Sequence, residues 1–227
     1  MRIQTSLFIS ALTIWTASAV PATAGQLACD KPGSERWAVK TTLPDHPKTE
    51  TLTLIEALED SHFPPLTDVK TNDSRFATTR ITGEKVNEDT IVTVSGWLYL
   101  VAFEHDCDFH IQISPDPLTS KNPPGKDSNS MIVEVPSGEY ATTISGTVET
   151  VRDWVVANLL DKTDPKIGSV HVMNRPTYVT VTGALFYDDD HEYHADHTTG
   201  RGKKGLDSKT LWEIHPLTSI AFASAPN

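Results

Sequence analysis

Carboxylates and histidines recur on two stretches of this chain at a spacing that sets them side by side. Asp106, Asp108 and His110 alternate with Cys107, Phe109 and Ile111, and Glu213 and His215 alternate with Trp212 and Ile214. Successive side chains of a strand point to opposite faces, so each stretch carries a polar row backed by an apolar one. Rows of this kind can hold a divalent cation or move a proton. Asp108, His110, Glu213 and His215 are the catalytic candidates. Asp106-Cys107-Asp108 sets two carboxylates on one strand face or across a turn, where hard cations take oxygen ligands, and Glu134 on a later strand can join them. A third cluster runs from Asp188 to His197, with His191, His194 and His197 three residues apart among acids. Of these, His191 lies nearest the preceding strand. The candidate metal ligands are thus Asp106, Asp108, His110, Glu134, Asp188, His191 and His215, with zinc or calcium as the candidate ion. The plain alternative is a solvated outer strand face and a charged loop.

These residues need elements to position them. Residues 91–103 are rich in β-branched and aromatic side chains and contain no proline, which predicts a long strand, bent at Gly96. Residues 109–113 and 131–135 predict a second and a third strand, separated by a Pro-, Gly-, Ser- and Asn-rich loop. Ile144, Val148, Val151, Val155 and Leu159 fall on one helical face. Residues 178–187 and 211–222 predict a fourth and a fifth strand. Val92-Thr93-Val94-Ser95-Gly96 and Val179-Thr180-Val181-Thr182-Gly183 echo each other, and strands bent at glycine suit a small closed barrel. Three strands, a helix and two strands is the order of the OB-fold. The expected class is mainly β with one main helix, an OB-fold-like barrel over residues 90–227. An unrelated α+β sandwich and an open sheet are the alternatives. Residues 25–89 form an N-terminal extension packed on the barrel, with Trp37 and Val39 as anchors. There, Thr53-x-x-Glu56 reads as a capping box opening a short helix, with Leu54, Ile55 and Leu58 on its apolar face and Pro64-Pro65 at its end. Phe76 and Ile81 are expected to touch the core.

Residues 1–24 read as a secretory signal, with Arg2 at its start, an apolar middle and Ala22-Thr23-Ala24 as the cleavage pattern. The expectation is an exported soluble protein, periplasmic or extracellular. With 19 basic and 30 acidic residues, the formal charge of −11 disfavours a nucleic-acid partner. The two cysteines, Cys29 and Cys107, are expected to pair in an exported chain. The chain has no Gly-x-Ser-x-Gly elbow, phosphate-cradling loop, dinucleotide fingerprint or His-Glu-x-x-His.

Glu35-Arg36-Trp37-Ala38-Val39-Lys40-Thr41, Asp108-Phe109-His110, Met131-Ile132-Val133-Glu134-Val135-Pro136, Val179 to Gly183 and Trp212-Glu213-Ile214-His215-Pro216 together resemble a family of uncharacterised exported bacterial proteins. That family's polar signature is a His after an acidic turn, an Asp-x-x-His after the fourth strand (here Asp188 to His191) and a Glu-x-His-Pro. The resemblance implies a fold more than a function. A more distant one is to thermonuclease-type OB domains, through Asp106-Cys107-Asp108 and Val133-Glu134-Val135-Pro136. It would give calcium to Asp108 and Glu134. Cys107 stands where that family has glycine, and Asn129 where it has arginine.

Three functions follow as expectations. The first is an OB-type binding module for a small molecule, glycan or protein. The second is a divalent-metal-dependent hydrolase or phosphodiesterase using the His/Asp/Glu residues. The third is a structural or interaction domain.

Overall fold

A computed structural model describes Cys29, residues 36–59, Phe63, residues 77–79 and 85–188, His191 and residues 199–226. The leader 1–24, Pro64-Pro65, Phe76, Ile81, Asp189, Asp190, Glu192, His194 and His197 lie outside the described residues. Five strands make the barrel: β1 (Thr90–Phe103), β2 (Phe109–Ser114), β3 (Asn129–Val135), β4 (Tyr178–Tyr187) and β5 (Trp212–Phe222). Antiparallel pairing joins β1 to β2, β2 to β3, β5 to β4 and β4 back to β1. One parallel step joins β3 to β5, and the ring closes in the order 1-2-3-5-4. This is the expected OB-fold-like barrel with one main helix, α1 (Ser145–Leu159), between β3 and β4.

β1 is long because it serves two sets of partners. Its first half pairs with β4, and its second half pairs with β2, with Trp97 opposite both Tyr178 and Ser114. Gly96 sits at the changeover. A Cβ there would come 2.7 Å from Leu54 Cδ2, so the missing side chain lets that leucine pack on the strand. The barrel interior is filled by the apolar rows, including Val92, Val94, Ile111, Val133, Val181, Trp212 and Ile214, all fully buried. Val148, Val151, Val155 and Leu159 of α1 join the same core, as their spacing predicts.

Gly183, the other glycine of the sequence echo, meets a closer neighbour. A Cβ on it would lie 2.4 Å from Pro216 O and 2.9 Å from Leu217 Cα, both on β5. Backbone cannot step aside as a side chain can. Gly183→Ala is therefore expected to cost about 1–3 kcal/mol, seen as a lower urea midpoint with an unchanged slope. A variant as stable as the parent would show that β5 yields at Pro216.

The extension contributes more than packing. Strand Lys48–Thr53 pairs in parallel with the first half of β1. Arg36 and Glu88 form a fully buried pair, and Arg36 Nη1 donates to Tyr187 O while Glu88 Oε1 accepts from Tyr187 N. The Thr53–Glu56 capping box is present on a short helix, Leu54–Ala57. Ile55 is not on its apolar face: it is 63% exposed, because a single turn that buries Leu54, Ala57 and Leu58 leaves Ile55 on the far side. The expected disulfide joins Cys29 to Cys107 across 78 residues, a constraint worth about 2–4 kcal/mol. No helix among the described residues is long and apolar enough to cross a membrane.

Candidate metal centre

The outer faces of β2 and β3 are not solvated. Every residue of β2 and all but Asn129 of β3 are buried. What covers them is the chain after β4. Its strand Leu206–Ser208 pairs in parallel with the start of β3. Gln112 is fully buried and ties the cover down: its Nε2 donates to Leu206 O and its Oε1 accepts from Lys203 N, each at 2.8 Å. Asp108, His110, Glu213 and His215 of the polar rows therefore sit buried in a layer between barrel and cover, with Asp106 at its edge.

Register brings the two rows together. β3 lies between β2 and β5, with Glu134 directly opposite His110 and Val133 opposite Ile214. Glu134 thus reaches a histidine on either side. Its Oε1 is 2.8 Å from His110 Nδ1 and its Oε2 is 3.1 Å from His215 Nδ1. The tight turn before β2 supplies the next carboxylate. Cys107 takes a left-handed conformation (φ 68°), its N–H donating to Glu104 O. Asp108 follows, buried, its Oδ1 accepting from Ser137 N at 2.9 Å and its Oδ2 3.6 Å from His215 Nε2.

Asp108, Glu134 and His215 each place one ligand atom within 4.8 Å of the others, and so do Glu104, His110 and Glu134. Both ring nitrogens of His215, and Nε2 of His110, are buried without a hydrogen-bond partner among the described residues. Native interiors leave few such atoms unless an ion or water completes them.

Arg201 closes the layer. Its Nη1 is 2.5 Å from Asp188 Oδ2 and also pairs with Glu213 Oε1, while its Nη2 is 3.5 Å from Glu134 Oε1. Glu213 is 3.8 Å from His215 Nδ1, so it stands beside the histidine but belongs to the arginine. Asp188 also holds His191, whose Nδ1 is 2.8 Å from Oδ2. His191 is part of the surrounding network and of neither ligand group. Asp106 is also in neither. It caps the turn, Oδ1 accepting from Asp108 N.

The surroundings pull these groups apart. Burial, then the charges of Asp106 and Glu134, pushes the Asp108 carboxyl well above the usual carboxylate range. Burial alone would do the same to Glu134, but the two imidazoles and Arg201 outweigh it and hold Glu134 well below that range. Burial pushes His215 down, towards the neutral ring. An ionised Glu134 can only accept, so His110 Nδ1 is the donor in their hydrogen bond.

No family model, curated protein or solved structure matches this chain. The site's chemistry therefore rests on its own geometry. Arg201, Glu104, Gln112 and Lys203 are the partners that sequence reasoning missed. Arg201 and Lys203 stand in a Gly-rich loop, where a basic cluster reads as solvated. Only the pairing of residues 206–208 with β3 turns it inward.

Proposed function

We propose that this chain is an exported OB-barrel binding module whose polar layer holds a divalent transition-metal ion, with Asp108, Glu134 and His215 as its ligands. The carrying observation is the His215 ring, 1% exposed, set between two carboxylates, Nδ1 3.1 Å from Glu134 Oε2 and Nε2 3.6 Å from Asp108 Oδ2 with no hydrogen-bond partner among the described residues. Buried charges are normally paired or bound to metals. Here Asp108, Glu134, Asp188 and Glu213 are all buried; Arg201 pairs with the last three, and the charge of Arg152 reaches Asp108 without forming an ion pair among the described residues. Ligands bound at zinc-like distances sit roughly 3.0–3.4 Å from one another, close to the 3.1 Å between His215 Nδ1 and Glu134 Oε2. Imidazole beside carboxylate favours zinc, manganese or iron over calcium. The three ligands are 1, 4 and 1% exposed. Burial of all three shields a bound ion from a substrate, so binding ranks above hydrolysis.

The test uses untagged mature protein, dialysed against chelator and titrated calorimetrically with zinc and with manganese. Saturable binding is expected, with a melting temperature that rises with ion concentration, and His215→Ala should abolish both. An isotherm without saturation and an unmoved melting temperature for both ions would sink the reading.

A further inference from the structure

We infer that the polar layer is built for two cations bridged by Glu134, the second held by Glu104 and His110. This inference rests on the single-metal reading above and extends it. Its basis is the way Glu134 is shared. One oxygen serves the inner group, Oε2 at 3.1 Å from His215. The other serves an outer group, Oε1 at 2.8 Å from His110 Nδ1, which is itself 3.9 Å from Glu104 Oε1. Each group is one imidazole, one carboxylate of its own and one oxygen of Glu134. A carboxylate placed this way sets paired metals about 3.5–4 Å apart.

His110 is 2% exposed, and its Nε2 has no hydrogen-bond partner among the described residues. Which nitrogen of a histidine carries the proton is set by what the other one bonds. A metal at this position takes the Nδ1 lone pair in place of the hydrogen bond to Glu134. The two groups also differ in access. The Glu104 side chain is 27% exposed and is bound at 2.8 Å by Lys203 Nζ, a cation at the place the second metal would take. The outer position is thus the one that can exchange ions, or carry a water, while the inner one is closed.

Metal content by elemental analysis and manganese electron paramagnetic resonance test this together. The full chain loaded with excess manganese is expected to hold two ions with an exchange-coupled spectrum. Glu104→Gln, at a half-exposed turn position, should hold one ion and give an uncoupled signal. Lys203→Met should tighten the second, weaker step by roughly two- to fivefold, the worth of the ion pair removed. One ion in the parent, unchanged in Glu104→Gln, would overturn the bridged pair and leave the single-metal reading intact. No ion in any of the three would overturn both.

Discussion

Arg201→Met is expected to be the most destabilising single change in the polar layer, at about 3–5 kcal/mol, the usual result of removing one partner from a buried ion pair. The three carboxylates it leaves do not suffer equally. Glu134 keeps an imidazole on each oxygen, and Asp188 keeps His191. Glu213 keeps only His215, 3.8 Å away and itself held towards neutrality by burial. Most of the loss should therefore come from Glu213, which is fully buried. Glu213→Gln in the Arg201→Met background is expected to restore a large part of it, a coupling that a double-mutant cycle reads directly. Loss of less than about 1 kcal/mol would mean that water reaches the site through the 14% of the arginine side chain left exposed.

The same substitution should change the response to acid. Glu134 and Asp188 both titrate below the usual carboxylate range. Each contributes stability that is present above the unfolded-state value and lost as pH falls through the folded one. His215, held low by burial, adds to this trend below the ordinary histidine value. Arg201 is one of the causes for both carboxylates, so its loss should move the acid unfolding midpoint to higher pH.

The sequence carries the barrel far better than it carries the site. Strand and helix periodicities are local, and those of residues 91–103, 109–113 and 178–187 place β1, β2 and β4 to within a residue or so. The two polar rows are equally local. Their meeting is not, because it depends on β3 running between β2 and β5 and on a register that puts Glu134 opposite His110. A long irregular loop separates β2 from β3, and no short turn type fixes that register. The cover is harder still. Residues 199–208 are Gly- and Lys-rich and form strands of only two and three residues, too short for any alternation to register. That is why Glu134 is legible in sequence only as a candidate ligand without its partners, and Arg201 reads as surface charge, when each is a centre of the polar layer.

Asp108→Asn is expected to act in opposite directions on stability and on metal. Without metal, the wild-type carboxyl titrates well above the usual range. Its contribution to stability is complete below the unfolded carboxylate value, near 3.9, and is lost as pH rises towards the folded one, because the unfolded state gives up its proton first. The carboxyl lies 3.6 Å from His215 Nε2, beyond hydrogen-bond reach. An asparagine amide has the same shape, keeps an oxygen for Ser137 N and has no proton to lose. The metal-free variant should therefore match the parent in acid and exceed it near neutral pH. The gain should be on the order of 1 kcal/mol, or about 2–4 °C in melting temperature. Metal makes the opposite demand, since it needs the carboxylate and must expel that proton. Affinity in the variant is expected to fall by more than the roughly 10–100-fold that loss of an outer-shell partner costs. Parent affinity should also climb with pH over the window in which the metal-free protein loses stability, while the variant's stays flat. A variant that is less stable and still binds metal would place Asp108 in the turn's architecture alone. One that is more stable and metal-free would show a carboxylate kept at the expense of the fold for a ligand's sake.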